Sequence, residues 1–523
     1  MRHLLLRSAF LIPLLLPPAL AEAADSGAQK GAAALTRETS IPDLQAAMSS
    51  GDLTSEDLVR GALSLIDAGN GKLHAVITVN PNALADARKS DAARKAGATP
   101  GPLAGIPVLI KDNIETKDPM ATTAGSLALK DNVTHRDAPL VARLRAAGAI
   151  ILGKTNLSEW ANIRSSHSVS GWSAMGGLTA NPYQAARTAC GSSSGSGAGI
   201  AADFAVIAVG TETDGSVTCP ASMNGLVGLK PTVGLVSRSR VVPISHSQDT
   251  PGPMGHSVRD VALLLTAMAG GDPKDPATAE ADSHVADYAA SLSADALRGV
   301  RIGVLRDQAG NQPKTAAAFE AALAVLAKAG AVLVDIADSH VDGLPQAEHI
   351  VLMTELKADL DTYLADTPAT VETRTLADLI AFDKSHAKEE MPWFDQELFE
   401  EAEKTAGLND PAYLDALGKE RSLAQGRIDS LLVDNKVAIL VSPTKGPAWL
   451  ADTVNGDQYS GPSTSRLPAT AGYPHLTIPM GMIQGLPVGL SLVGPKWSEA
   501  ALIRAGYAFE QARGPLAKPA PSS

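Results

Sequence analysis

Two serine-rich runs and one lysine are the residues of this sequence whose types and spacing could perform nucleophilic catalysis. The first run is Cys190-Gly-Ser-Ser-Ser-Gly-Ser-Gly197, and the second is Gly210-Thr-Glu-Thr-Asp-Gly-Ser216. Lys111 follows a short apolar segment upstream, Pro107-Val-Leu-Ile110. A hydroxyl becomes a strong nucleophile when a neighbouring group takes its proton. The pattern therefore indicates a hydrolase whose nucleophilic serine is activated by a second serine and a neutral lysine, without histidine.

Lys111 can act as a base only if it loses its positive charge. Burial lowers the pKa of a lysine amine from about 10.4 toward neutrality, because the charged form loses its water. The apolar segment before the lysine predicts a buried strand that ends there, next to Asp112 and Asn113. By position alone, a lysine paired with a nearby acid is the commoner arrangement. The serine runs favour the catalytic interpretation, in which Asp112 and Asn113 could orient the amine, although Asn113 could equally cap the next segment.

Other motif matches explain the sequence less well. Gly191-Ser-Ser-Ser-Gly195 fits the G-x-S-x-G pattern with Ser193 in the centre, but the preceding residues are polar and turn-rich where that motif needs a strand. Gly148 to Thr155 fits the phosphate-loop pattern, but its variable positions are themselves an apolar strand. The 11 histidines show no metal-ligand spacing. The sequence therefore predicts neither a metal nor a cofactor.

The elements that must position these residues follow a repeated order of helix, glycine and apolar strand. Leu140 to Ala147 is predicted to be helical, Gly148 ends that helix, and Ala149 to Leu152 is a short strand. The order returns in a helix over Ala316–Ala329 and a strand over Ala331–Ile336. This alternation predicts an α/β fold, a single large α/β/α domain with a central mixed, mostly parallel sheet covered by helices on both faces.

Domain organisation follows from the absence of any linker-like stretch. Residues 22–523 are predicted to form one domain, with a catalytic core over about 105–259 and a helical insertion over about 345–430. Near its N-terminal end, Thr54 with Asp57 predicts a helix start, and Leu73–Val79 predicts a strand. Within the insertion, Glu389–Lys404 is predicted to be an amphipathic helix. Such a helix could cover a cleft, although a solvated helix with an apolar inner face is commoner.

Composition limits the possible partners. A chain of 523 residues with 45% hydrophobic content can bury a large core, so the protein is predicted to be globular. Its formal net charge of -12 argues against nucleic acid or an anionic membrane as partner, because both repel a negative protein. The expected ligand is therefore small or peptidic, while the oligomeric state stays open.

The first residues have the pattern of an export signal. Arg2 and Arg7 give a basic start, Leu11 to Leu16 form an apolar stretch, and small residues favour cleavage after Ala21 or Ala23. Residues 1–21 are therefore predicted to be a signal peptide, and the mature protein to be periplasmic or secreted. No later run of about 18 apolar residues predicts a membrane span.

Cys190 and Cys219 are the only two cysteines, and each lies in or beside one of the serine runs. An oxidising compartment permits a disulfide if the two runs meet. Two buried, unreactive thiols are the commoner outcome, and the sequence favours it without excluding the disulfide.

The spacing of the serine runs resembles that of the amidase signature family of serine hydrolases. Members carry a G-G-S-S-G-G-S run and, 24 positions after its first serine, a nucleophile in a D-T-G-G-S run; Ser192 and Ser216 are 24 positions apart. The stretch from about Gly105 to Arg259 carries the resemblance. Leu476–Gly481 and Gly485–Leu490 resemble the family's C-terminal block, so the likeness spans nearly the whole mature chain.

Within the family, four segments are similar to those of bacterial peptide amidases, which hydrolyse the carboxamide at the C-terminus of peptides. They are Gly191-Ser-Ser-Ser-Gly195, Thr211-Glu-Thr-Asp-Gly-Ser216, Lys154-Thr-Asn-Leu-Ser-Glu-Trp-Ala161 and Ser247-Gln-Asp-Thr-Pro-Gly-Pro253. The resemblance thus implies an amidohydrolase that releases ammonia from peptide amides through an acyl-enzyme intermediate.

The resemblance also implies roles for individual residues. Ser216 would be the nucleophile, Ser192 the bridging serine after a cis peptide bond from Gly191, and Lys111 the final base. The oxyanion would be held by main-chain amides, those of Thr213, Asp214, Gly215 and Ser216.

The sequence departs from the family pattern at several positions. Cys190 and Ser194 stand where glycine is usual, and so does Asp214, which tolerates a positive φ better than most residues. Thr218 replaces an arginine that often follows the nucleophile, which puts substrates with acidic groups in doubt. A further set of side chains could line the substrate pocket, although serines in such loops are more often simply at the surface; they are Ser168, Ser170 and Trp172.

Alternative functions remain at this point. Within the family these are a broad aliphatic or aryl amidase and a lactam or nylon-oligomer hydrolase. The amide-hydrolysing subunit of a transfer-RNA amidotransferase shares the signature, but the export signal and acidic balance argue against it. A binding protein without catalysis would keep Lys111, Ser192 and Ser216 only by coincidence.

Overall fold

Helices and strands alternate along the computed structural model, which describes residues 18–459 and 461–519. The helices longer than a single 3₁₀ turn are α1 (Pro18–Ala34), α2 (Ile41–Ser50), α3 (Ser55–Leu73), α4 (Ala83–Lys95), α5 (Pro139–Ala146), α6 (Ser194–Ala201), α7 (Thr218–Met223), α8 (Val258–Met268), α9 (Pro313–Lys328), α10 (Leu344–Ala365), α11 (Leu376–Ser385), α12 (Ala387–Glu390), α13 (Glu397–Ala402), α14 (Pro411–Asp434), α15 (Arg466–Ala471) and α16 (Glu499–Arg513). The strands are β1 (Val76–Val79), β2 (Pro107–Lys111), β3 (Ile150–Thr155), β4 (Trp172–Ser173), β5 (Gly177–Leu178), β6 (Ile207–Glu212), β7 (Val227–Lys230), β8 (Thr250–Gly255), β9 (Arg301–Leu305), β10 (Val332–Ile336), β11 (Ile439–Pro443), β12 (His475–Ile483) and β13 (Leu486–Val493).

One mixed sheet of 11 strands organises the fold, in the order β1-β3-β2-β6-β8-β7-β12-β13-β11-β9-β10. Every residue of β2, β3, β6, β7, β8, β11 and β13 is buried, so both faces of the sheet are covered. The predicted α/β class, with a mixed sheet flanked by helices, is confirmed. β4 and β5 form a separate two-stranded ribbon.

The share of parallel pairs is smaller than the sequence predicted. Of the ten neighbouring strand pairs in this sheet, four are parallel and six antiparallel. The parallel pairs lie toward the two sides, where β2–α5–β3 and β9–α9–β10 make the helical crossovers that the sequence pattern indicated. The centre is antiparallel, and β12 and β13 are joined there by a tight turn in which Gln484 and Gly485 both have positive φ.

The predicted local elements are present with shifted ends. The Thr54–Asp57 capping box starts α3, and the helix runs to Leu73, which is buried. The strand therefore begins at Val76 rather than at Leu73. The helix predicted over Leu140–Ala147 is α5, and Gly148 follows it with a φ of 91°. β3 runs beyond its predicted end at Leu152 to Thr155.

The segment between β10 and β11 contains five helices, α10 to α14, and no strand over 344–434. The single amphipathic helix predicted over Glu389–Lys404 is wrong, because α12 ends at Glu390 and α13 begins at Glu397. Pro392 explains the break, since proline lacks the amide hydrogen and disfavours helical geometry in the residue before it. Phe399 in α13 is fully buried and packs against Trp160, with ring centroids 5.9 Å apart.

The basic and apolar parts of the predicted export signal, residues 1–17, lie outside the described residues. Export therefore stays a prediction. In the part of the chain that the structure describes, no helix is both long and apolar enough to cross a membrane.

Candidate active site

Lys111 is the last residue of β2 and is fully buried. β2 pairs in parallel with β6, so the carboxyl ends of the two strands lie at the same edge of the sheet and bring Thr211 beside Lys111. The Nζ of Lys111 donates hydrogen bonds to Ser192 Oγ at 2.7 Å and to Thr211 Oγ1 at 2.8 Å. Burial lowers the pKa of Lys111 to about 7, and the negative charges of Asp249 and Glu212 oppose that shift. An amine with this pKa is partly neutral at neutral pH and can accept a proton.

Asp112 and Asn113 differ in what they do beside Lys111. Asp112 accepts hydrogen bonds from Thr123 and lies 3.8 Å from the Nζ of a second buried lysine, Lys154. Asn113 donates through Nδ2 to Thr211 Oγ1 at 3.0 Å, the same oxygen that Lys111 contacts. Lys154 is therefore the lysine paired with the adjacent acid, and Asn113 orients Lys111 through Thr211.

Ser192 is held at the end of a cis peptide bond from Gly191, as the family resemblance implied. Its side chain is fully buried, and its carbonyl accepts a hydrogen bond from the Ser158 amide at 3.0 Å. A side chain at position 191 would collide with Ser158 Oγ, so the close approach of the two segments requires glycine there.

Ser193 connects the two serine runs. Its amide donates to the carbonyl of Ser216 at 3.1 Å, and its fully buried Oγ donates to the Thr211 carbonyl at 3.1 Å. The Thr211 amide donates back to the same Oγ at 3.2 Å. Ser193, the central serine of the G-x-S-x-G match, is thus engaged by main-chain groups, whereas Ser216 faces a cavity.

The turn over 213–216 joins β6 to α7 and carries Ser216. Gly215 has the positive φ of this turn, 84°, so Asp214 does not need the left-handed conformation that the sequence analysis allowed for. Just after the turn, the amides of Val217 and Thr218 both donate to Glu212 Oε2 at 2.8 Å. Glu212 thereby holds the main chain where the turn ends and α7 begins.

Two acids outside the predicted set support this turn. Thr213 Oγ1 donates to Asp249 Oδ1 at 2.5 Å, and burial raises the pKa of Asp249 to about 6. Burial also raises the pKa of Glu212, while the positive charge of Lys230 opposes the rise. Glu212 lies within the second serine run, so its position was a usable signal. Asp249 lies 33 residues beyond Ser216, within the segment Ser247–Pro253 that carries part of the family resemblance, and that segment was the usable signal for it.

A cavity of about 370 Å³ opens onto Ser216 and its turn. Ser168 and Ser170, two of the three residues predicted for a substrate pocket, line it. Trp172 does not. It is 5% exposed and packs against Phe394, with ring centroids 5.2 Å apart. Trp172 is the first residue of β4, and its ring packs with the rings of Trp393 and Phe394 instead of facing the cavity.

The far wall of the cavity comes from a segment that the motif analysis missed. Asp457 accepts hydrogen bonds from Ser170 Oγ at 2.5 Å and from Trp449 Nε1 at 3.0 Å. Lys445 Nζ lies 4.4 Å from the centre of the Tyr459 ring, and burial lowers the pKa of Lys445. These residues are more than 220 positions from Ser216 and carry no motif, so only their packing identifies them.

A disulfide joins Cys190 to Cys219, with their Cα atoms 6.0 Å apart. The two free thiols that the sequence favoured are therefore the wrong alternative. The preference failed because it weighed each cysteine by its own burial, whereas packing of the two serine runs sets the distance between them.

The one group of described residues with metal-ligand chemistry is His246, Glu355 and Asp359. Glu355 already accepts hydrogen bonds from Ser245, Ser247 and Tyr413. The group lines no part of the Ser216 cavity. It gives no ground for assigning a metal to the site.

Comparisons with known proteins agree over nearly the whole chain. A family model described as Amidase matches residues 57–503. A probable amidase of Arabidopsis thaliana is 38% identical over 487 residues, which cover 91% of this chain and 90% of that protein.

Solved structures of peptide amidases are also similar. The peptide amidase from Stenotrophomonas maltophilia is 48% identical with a TM-score of 0.87, covering 92% of this chain and 98% of that chain. A peptide amidase in complex with the competitive inhibitor chymostatin is 49% identical with a TM-score of 0.87, covering 92% of this chain and 99% of that chain.

Proposed function

Because this chain belongs to the amidase signature family and is a hydrolase acting on amides, we propose that it releases ammonia from the C-terminal carboxamide of peptides. The observation that carries the proposal is the hydrogen bond from buried Lys111 to Ser192, beside a cavity that contains Ser216. Identity near one half to peptide amidases over 92% of the chain supports the substrate class.

The proposed reaction uses the three side chains in order. Neutral Lys111 takes the proton of Ser192, Ser192 takes that of Ser216, and Ser216 attacks the amide carbonyl. Ser192 then gives a proton to the leaving ammonia, and water hydrolyses the acyl-enzyme to regenerate Ser216. Main-chain amides of the turn over 213–216 stabilise the oxyanion, and each such donor contributes about 3 to 4 kcal/mol in other hydrolases.

The pH profile of amide hydrolysis is expected to fall below pH 7. Lys111 must be neutral to accept a proton, and its pKa is about 7. Protonation therefore removes active enzyme about tenfold per pH unit below that value, while above it the activity reaches a plateau. We would measure kcat/KM from pH 5 to 9.

Asp249→Asn is the matched variant for this profile. The charge of Asp249 raises the pKa of Lys111, so its removal should move the acid limb to lower pH. The asparagine oxygen can still accept from the amides of Ile244 and Ser245, while its Nδ2 donates to the Thr213 hydroxyl. A profile that stays flat from pH 5 to 9 in the wild type would contradict a lysine base.

The substrate class is tested by ammonia release from a panel of amides. Asp457, Trp449 and Tyr459 on the far wall offer an acceptor and two aromatic rings to a peptide portion. We expect kcat/KM for di- and tripeptide amides to exceed that for free amino-acid amides and simple aliphatic amides by at least about tenfold, which corresponds to 1.4 kcal/mol of added contact.

Tyr459→Ala serves as the control for that panel, because its ring lies on the cavity wall and is 53% exposed. This substitution should lower kcat/KM for peptide amides and leave kcat/KM for propionamide unchanged. Equal rates on all classes would instead favour the broad aliphatic or aryl amidase, and preference for cyclic or oligomeric amides the lactam or nylon-oligomer type.

Export to the periplasm or the medium is also proposed, on the basic and apolar pattern of residues 1–21. N-terminal sequencing of the mature chain tests it, since an unprocessed Met1 would contradict cleavage after Ala21 or Ala23.

A further inference from the structure

The Cys190–Cys219 disulfide connects the two serine runs next to the proposed catalytic residues. Cys190 lies two residues before Ser192, and Cys219 three residues after Ser216. We propose that this disulfide positions Ser192 against Ser216 for proton transfer, so that its loss slows the chemical step more than it weakens substrate binding. The proposal rests on the proposed roles of the two serines, but not on the identity of the substrate.

At the Cys190 end of the disulfide, the main chain is constrained from Cys190 to Ser192. Cys190 has a φ of 57°, and its amide donates to Thr188 Oγ1 at 2.9 Å. The next residue, Gly191, has no room for a side chain. A covalent bond at position 190 therefore acts through only one residue on the main chain of Ser192.

At the other end of the disulfide, Cys219 lies in the first turn of α7, directly after the turn that carries Ser216. Its amide donates to the carbonyl of Gly215 at 2.8 Å. A shift of Cys219 would thus be transmitted to Gly215 and Ser216. The disulfide therefore links the supports of both hydroxyls.

Noncovalent contacts between the runs set the size of the expected effect. The Ser193 amide donates to the Ser216 carbonyl, and Ser193 Oγ binds the main chain of Thr211. These bonds keep the runs together when the disulfide is broken. Transfer between two hydroxyls needs oxygens about 2.6 to 3.2 Å apart, and a misplacement of about 1 Å can cost roughly 100-fold. We therefore expect a loss of about 10- to 100-fold rather than complete inactivation.

Both cysteines also form part of the cavity wall. Behind that wall they belong to an apolar cluster with Met223, Ala448 and Leu486. Substituting them changes that wall as well as the bond. Reduction separates the two effects, because it keeps every sulfur atom. Dithiothreitol breaks the S–S bond to give two thiols, while its own two thiols form a ring disulfide.

The experiment compares four proteins at a temperature where circular dichroism shows all of them folded. They are the oxidised wild type, the wild type reduced by dithiothreitol, Cys190→Ser/Cys219→Ser and Cys190→Ala/Cys219→Ala. For each we would measure kcat and KM on an amide, the ratio of amide to p-nitrophenyl ester hydrolysis, and the rate at which a fluorophosphonate labels Ser216.

We expect kcat to fall about 10- to 100-fold in every protein that lacks the bond, with KM changed less than threefold. The amide-to-ester ratio should fall too, because ammonia needs a proton from Ser192 and nitrophenolate does not. Reoxidation should restore the wild type and leave the double variants unchanged.

Unchanged kcat and labelling rate in a folded protein without the bond would overturn the proposal and leave the disulfide a stabiliser only. If the double variants do not fold, the reduced wild type decides alone. Labelling needs no substrate, so oxidised protein that labels at Ser216 but hydrolyses no peptide amide would contradict the proposed function while the labelling rates still test the positioning role.

Discussion

Ser216→Ala is expected to lower amide hydrolysis by a factor of about 10⁶, as removal of the nucleophilic serine does in another serine hydrolase. The expected loss is large because the Ser216 hydroxyl is the proposed attacking group and faces the cavity, whereas the hydroxyl of Thr213 in the same turn donates to Asp249. The fold should survive, since the contact that joins the serine runs uses the Ser216 carbonyl and not its side chain. Ammonia release and a thermal denaturation midpoint measure the two effects.

Ser193→Ala is the matched control, because Ser193 is the nucleophile that the G-x-S-x-G pattern would select. Its Oγ binds only main-chain atoms of Thr211 among the hydrogen bonds that the structure describes. We expect a stability loss of about 1 kcal/mol and an activity loss far smaller than that of Ser216→Ala. Full loss in Ser193→Ala together with activity in Ser216→Ala would exchange the two assignments.

Lys111→Met is expected to lower kcat about 10²- to 10⁴-fold at neutral pH, the range that a positioned base supplies. Methionine fills a similar volume but accepts no proton from Ser192. The acid limb near pH 7 should vanish from the remaining activity, since the titrating group is gone. The measurement is kcat from pH 5 to 10 for both proteins. A variant that keeps the same acid limb would show that another group titrates.

Lys111→Arg distinguishes loss of the base from loss of the hydrogen bond. Guanidinium can still donate to Ser192 and Thr211, but it stays charged at every pH used. Its activity should therefore not recover at high pH. Recovery of Lys111→Arg at pH 9 would mean that the role of Lys111 is to donate and not to accept.

The fold should tolerate the loss of the Lys111 amine. Its folded-state pKa of about 7 lies below the ordinary value of 10.5, so the unfolded chain binds more protons between these pH values. The free energy of unfolding therefore rises with pH through that window. At pH 7 the burial of this amine lowers the free energy of unfolding relative to high pH. The denaturation midpoint of Lys111→Met at pH 7 should not fall by more than the loss of the hydrogen bonds to Ser192 and Thr211 explains.

The errors made from sequence have a common cause. The helix over Glu389–Lys404 follows its apolar spacing, but Pro392 breaks it. Trp172 follows Ser168 and Ser170 in the sequence, yet it packs away from the cavity that the two serines line. In each case a single local feature supported the prediction, whereas another residue, Pro392 for the helix and Phe394 for Trp172, decides the structure.

By itself, the amino-acid sequence determined the family, the α/β class, and the placement of Lys111 at a strand end and of Ser216 in a glycine turn. These features depend on short-range physics: a strand end, a turn that needs glycine at 215, and a close approach that needs glycine at 191. Tertiary structure alone decided the antiparallel centre of the sheet, the Cys190–Cys219 bond and the cavity wall from Lys445 to Tyr459. Those features depend on packing between segments that lie tens to hundreds of residues apart. The spacing of residues along the sequence does not show how close such segments come in the folded protein.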